Sequence, residues 1–219
     1  MKSIRLATLS VLLLAAFTAR AESLVVNGSL NGSIANMDVP TGWTVLAGTP
    51  DTMDTTSNVG VSGWLSFGVA PTVSPDGGTW VGLGISGDYI EQFGQTLSGL
   101  AVGQTYTVSW QAANFGVNNS VDSYLGSNAI SVMLDGATIG QGATLGLSSN
   151  WATQSLTFVA TSASQMLSFR LAQGEKAYMG IDGISVTTGG LTPAVPEPST
   201  WALMAMGVVA VGAMRRRRA

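Results

Sequence analysis

The chain has 219 residues, enough for one β-type body of ordinary size with end segments. It contains neither cysteine nor histidine, which excludes disulfides, thiolate or imidazole metal sites, a cysteine nucleophile and a Ser-His-Asp triad. Charged residues make up 10% and hydrophobic residues 46%, against about 25% charged in an average soluble chain, so disorder of the whole chain is excluded as well.

At the N-terminus, Lys2 and Arg5 precede the apolar run from Leu6 to Phe17, and Ala19-Arg20-Ala21 then places small residues at the −3 and −1 positions of a cleavage site. This pattern predicts a secretory signal helix over residues 1–21, removed before Glu22. Its twelve-residue apolar run falls short of the about 20 residues a membrane span needs.

Residues 22–190 form the predicted body. It holds eleven acidic residues and only Arg170 and Lys176 as cations; an acidic body of this kind repels a phosphate backbone, which excludes nucleic acid as a partner. It also holds 26 of the 28 glycines, and its wealth of serine, threonine and valine disfavours helix. In Thr105 to Ala112, Tyr106, Val108, Trp110 and Ala112 alternate with polar residues, the period of a strand with one buried face. Ile130, Val132 and Leu134 alternate likewise, and Asp135-Gly136 predicts a short hairpin turn into Ala137-Thr138-Ile139. Further strands are expected at 156–160, 167–171 and 184–186. Strands separated by glycine-rich turns, with no helical pattern between them, predict an antiparallel β-sandwich.

Trp43 and Trp110 are expected in the core, while Trp64 and Trp80 stand beside glycines and fit either core or surface. The segment Asn114 to Tyr124 combines amides and aromatics between two strands. Amide hydrogen bonds and aromatic faces suit a neutral sugar, so Asn114, Asn118, Asn119 and Tyr124, together with Trp80, are the candidate ligand-facing residues, against the plainer reading of a polar surface loop. Asp88 and Glu91 are the nearest mixed carboxylate pair. A glycoside hydrolase needs two carboxyl groups about 5 to 10 Å apart, but acidic residues in such turns are usually solvated surface charges, and this plainer reading is preferred.

Residues 191–200 read as a linker containing Pro196-Glu197-Pro198. The uncharged run 201–214 follows; as a helix it reaches only about 21 Å, a short transmembrane helix against a hydrocarbon core of roughly 30 Å. Arg215, Arg216, Arg217 and Arg218 open the basic tail 215–219 and, by the positive-inside rule, hold that end in the cytoplasm. The three parts in this order at the C-terminus resemble the PEP-CTERM sorting tail. The resemblance implies an exosortase-type enzyme as partner, membrane attachment through the C-terminal helix before processing, and delivery to the cell surface or extracellular matrix.

The body carries a second resemblance. Leu24-Val25-Val26-Asn27-Gly28-Ser29-Leu30 with Pro40-Thr41-Gly42-Trp43, then Gly77-Gly78-Thr79-Trp80-Val81-Gly82-Leu83, Gln95 to Leu100 with Gly103-Gln104-Thr105-Tyr106, and Gly180-Ile181-Asp182-Gly183-Ile184-Ser185-Val186 look like the galactose-binding-domain-like jelly roll. The resemblance implies a non-catalytic module with carbohydrate or exopolysaccharide as its partner, and no cofactor beyond a structural calcium. Where members often read Asn-Gly-Ser-Phe-Glu this chain has Leu30 and Asn31, and only Asn27 or Asn31 with Asp182 can be offered to the ion. The sequence thus predicts an exported carbohydrate-associated protein; the alternatives are a matrix structural protein without a small ligand and a carboxylate-based glycoside hydrolase.

Overall fold

The computed structural model describes residues 23–57, 66–118 and 122–188. The signal segment with Ala19 and Ala21, the sorting tail with its proline, glutamate and arginine residues, Trp64 and Asn119 lie outside the described residues. In chain order the strands are β1 (Thr44–Ala47), β2 (Asp51–Met53), β3 (Ser66–Phe67), β4 (Trp80–Ser86), β5 (Tyr89–Ile90), β6 (Gln92–Ser98) and β7 (Thr105–Ala113). They continue with β8 (Val117–Asn118), β9 (Ser123–Tyr124), β10 (Ile130–Leu134), β11 (Ala137–Gln141), β12 (Ala152–Val159), β13 (Ser164–Leu171) and β14 (Ala177–Thr188).

Two sheets face each other, one in the order β12-β7-β14-β4-β2 and the other in the order β1-β6-β13-β10-β11. Taking β4, β6, β7, β10, β11, β12, β13 and β14 as first to eighth, the first sheet reads sixth, third, eighth, first. The second reads second, seventh, fourth, fifth. These interleaved orders, with every pairing antiparallel, are a jelly-roll sandwich.

The sequence period explains the core. Along β7, Tyr106, Val108, Trp110 and Ala112 are buried between the sheets while the intervening residues are half-exposed. Trp43, Phe93, Phe169 and Trp110 interlock there, with ring centroids 5.0 Å apart for Trp43 and Phe93 and 6.1 Å apart for Trp110 and Phe169. In β14 the pairing with β7 slips between Asp182 and Ser185. The slip puts Ile181 and Ile184 both in the inner core, and Gly183 takes the left-handed backbone this requires. Asp135 and Gly136 both have positive φ, as the predicted two-residue hairpin between β10 and β11 demands.

The outer face of the first sheet is covered as well. Residues 114–124, read from sequence as a loop, instead supply β8 and β9, which pair with β3 as a small third sheet. Met53, Trp80, Ala113, Phe115, Val117 and Tyr178 are buried together as a second core, with Phe67, Tyr124 and Trp151 packed against it. Gly180 permits this: a Cβ there would come within 3.0–3.3 Å of Trp151, Trp80 and Phe115 at once.

The sandwich has two distinct ends. At the Ala177 end of β14 gather the turns around 125–128, 145 and 176, joined by the Leu125–Ala177 and Asn128–Leu145 bridges and by the Gly126 amide on the Lys176 carbonyl. At the Thr188 end lie the start of β7, the turns 99–104 and 160–163, and Ser23 and Leu24, both hydrogen-bonded to Val186.

Candidate functional site

Three polar features stand out. At the Ala177 end, the chain from Thr144 to Ala152 loops around a pocket of about 400 Å³ lined also by Asn114, within the 300–1,000 Å³ usual for small-molecule sites. Its lining contains no charged side chain: Thr144, Ser148, Asn150 and Asn114 give hydroxyls and amides, and Trp151 gives an aromatic wall. Trp151 is fixed by its indole N–H on the Thr72 carbonyl at 3.0 Å and by edge contacts to Trp80 and Phe115. Asn114 is fully buried beneath the pocket. Its Nδ2 donates to the carbonyls of Gly126 and Leu145, and its Oδ1 has no hydrogen-bond partner among the described residues. A buried acceptor left unmade costs about 1–3 kcal/mol. A smaller pocket of about 270 Å³, with Asn128, Gln141, Gln173 and Glu175, shares Thr144 with the first.

The ligand-facing residues predicted from sequence are therefore redistributed. Trp80 is wholly buried in β4 and offers no ligand surface, because Gly180 of β14 leaves room for its ring against the sheet. Asn114 is not on an exposed loop but forms the pocket floor. Asn118 is half-buried in β8, and Tyr124 lies half-buried under Lys176, whose Nζ sits 4.2 Å from the ring centroid and is paired with Asp122. Sequence reading missed the stretch 144–152, whose one signal was Asn150-Trp151 at the end of a glycine-rich run.

The second feature is a buried acidic cluster. Asp88 is exposed at the turn after β4, as a turn charge should be, but Glu91 is buried, so the surface-charge reading fails for it. Its neighbour in space is Asp51 of β2 rather than Asp88. Glu91 accepts from the Gly84 amide at 2.5 Å and the Tyr89 hydroxyl at 2.8 Å, with Thr49 at 3.2 Å. Tyr178 donates to Asp51 at 2.8 Å. Burial, with the charge of Asp51 adding to it, pushes the Glu91 carboxyl up to about 7 despite these donors. Burial likewise raises Asp51 and the Tyr178 phenol. The cluster joins β2, β4, β5 and β14 and opens onto none of the pockets described.

The third feature is Asp182, buried on the outer face of β14. Neither carboxylate oxygen has a hydrogen bond of good geometry. Burial raises its pKa to about 7, with the nearby Ser74 hydroxyl and Gly183 amide holding it down and Asp76 pushing it up. A bare buried carboxylate is what calcium would cover, but the rest of the cage is missing. Asn27 spends its amide on its own turn, donating to the Asn31 and Thr41 carbonyls and accepting from the Asn31 amide. Among the described residues no three acidic side chains group as a metal site, whereas calcium takes six to eight oxygens. Asn27 and Asp182 thus do not fit the ion together. Chelator treatment is accordingly expected to leave the melting temperature unchanged; a calcium-dependent rise that Asp182→Asn removes would contradict this.

No curated protein sequence matches the chain. Solved structures similar to it include the arabinose-bound MgGH51 α-L-arabinofuranosidase, at 14% identity and a TM-score of 0.49. That match covers 75% of this chain and 26% of the other, so the chain spans about a quarter of that protein's length. They also include TmCBM61 in complex with β-1,4-galactotriose, at 10% identity and TM-score 0.45, covering 68% of this chain and 90% of that one. The CBM22-1 xylan-binding domain from Paenibacillus barcinonensis is similar at 11% identity and TM-score 0.45, covering 77% and 95%. Residues 194–218 match the model of the PEP-CTERM protein-sorting motif. The tail read in the sequence is that motif, and the protein is one exported and sorted through a membrane-associated exosortase.

Proposed function

We propose that this is a non-catalytic carbohydrate-binding protein of the cell surface or extracellular matrix, carried there by its sorting tail after removal of residues 1–21. In this reading residues 22–190 are the binding body, residues 191–200 the processing linker, and 201–219 the membrane helix and cytoplasmic tail that the exosortase-type enzyme removes. The observation that carries the reading is the uncharged pocket with Trp151 as its wall and the hydroxyls and amides of Thr144, Ser148 and Asn150 around it. A pyranose has apolar C–H faces for the indole and hydroxyls for the amides. The absence of charge in the lining favours a neutral sugar over a uronate. The non-catalytic part rests on the carboxylates: the pocket of about 400 Å³ is lined by none and the smaller one by Glu175 alone, where glycoside hydrolysis needs two.

The test is an array of neutral and acidic oligosaccharides probed with the released body. Binding to neutral glycans is expected, with Trp151→Ala weakening it at least about tenfold, the equivalent of 1.4 kcal/mol. Trp151 also packs on Trp80 and Phe115, so Thr144→Trp, at an exposed rim position, serves as a second variant that blocks the pocket without touching the core. Failure of every glycan to bind, or full affinity in both variants, would remove the pocket as the site.

A further inference from the structure

The tail leaves the sandwich at the end opposite the pocket. Strand β14 runs from Ala177, beside the pocket turns, to Thr188, paired with Tyr106 at the far end; twelve extended residues cover about 40 Å. The first described residues leave from that far end too, since Ser23 and Leu24 both bond to Val186. Between Thr188 and Trp201 lie twelve residues, three of them proline; a proline-rich linker of that length spans about 40 Å, no more than β14 itself.

The two ends differ in their exposed side chains as well. The far end is built from 99–104, 160–164 and the turn 135–136; among the described residues of these turns Asp135 is the charged one, and its carboxylate is occupied by the Met166 amide and Gln165 Nε2. Val102 and Val159 are exposed there, at 68% and 53%. Around the pocket end stand Asp88, Glu91, Asp122 and Glu175, set against Lys176 and Arg170. The two exposed valines favour contact of the far end with the bilayer, whereas the pocket end, with its acids and both cations of the body, is better left in water.

From these observations we infer that, while its tail is still in the membrane, the protein stands with the 99–104 and 160–164 turns against the bilayer and its pocket facing away from it. The pocket is then open to glycan before the tail is removed. The inference rests on the carbohydrate reading of the pocket and on membrane attachment through 201–214.

The chain has no cysteine, so single labels are unambiguous. Val102→Cys and Gln173→Cys, each placed in full-length protein kept unprocessed by Pro196→Ala and Glu197→Ala, are labelled with a fluorophore. The proteins are then reconstituted in phosphatidylcholine vesicles containing anionic lipid and a headgroup quencher. Quenching at 102 is expected to exceed that at 173 severalfold; equal or reversed quenching overturns the orientation. The tethered protein and the released body are then titrated with cellotetraose, xylotetraose and maltotetraose. Affinities equal within about twofold support capture before processing, whereas binding by the released body alone overturns it. If neither form binds any of the three, the carbohydrate reading fails, and the quenching ratio still decides the orientation.

Discussion

Raising the pH from 5 to 8 is expected to lower the melting temperature of the body, and Glu91→Gln to remove about half of that change, the raised Asp182 carrying a comparable share. In the folded protein the Glu91 carboxyl titrates at about 7 against 4.5 when free. Its proton is held more tightly folded than unfolded, so the stabilising contribution is complete below pH 4.5 and disappears as pH rises through 7. Two and a half pH units correspond to about 3 kcal/mol, or on the order of 10 °C for a body of this size. The raised Asp51 and Asp182 act in the same direction. Asp54, Asp122 and Asp135 are held below their ordinary range and matter only in more acidic solution. Thermal melts at pH 5 and pH 8 check the prediction; the same slope in wild type and Glu91→Gln would assign the pH dependence elsewhere.

Gly28→Ala is expected to destabilise the body by about 3 kcal/mol, at the upper end of what overpacking costs. A Cβ at Gly28 would run into the Ile184 carbonyl oxygen, and the obstacle is backbone on both sides. The strands cannot separate without breaking the 2.8 Å hydrogen bond from the Ile184 amide to the Gly28 carbonyl. That bond docks the turn that buries Leu30 completely and gives Asn27 and Leu30 positive φ. Urea denaturation measures the change, with Ser29→Ala next door as a control expected within about 0.5 kcal/mol of wild type. A Gly28→Ala protein as stable as that control would mean the turn is not held as described.

Sequence showed the parts of the fold that depend on local pattern. The period of 105–112 identified β7 and its buried face, and Asp135-Gly136 identified a turn whose two positive φ values are dictated by those residue types. Trp43 and Trp110 were recognisable as core from their strand-forming neighbours. Glu91 was not recognisable as buried. It stands just after the Gly87-Asp88 turn, and its burial comes from Thr49, Gly84 and Asp51, brought together only by strand pairing. Trp80 followed two glycines and looked like loop, but its burial is set by Gly180, a hundred residues later. The pocket was invisible for the same reason: its floor is Asn114 and its wall Trp151, which become neighbours when the chain from 144 to 152 folds back across the end of β7.

The alternation of successive strands between the two sheets has a kinetic consequence. Apart from the β10–β11 hairpin and the short β4–β5 and β8–β9 pairs, each long strand must find a partner distant in sequence, as β6 does with β13 and β7 with β14. Such high contact order places folding in the millisecond-to-second range. A chain that is slow to reach its native pairings stays unfolded for longer after synthesis, which suits a protein that has to cross a membrane before it acquires its shape.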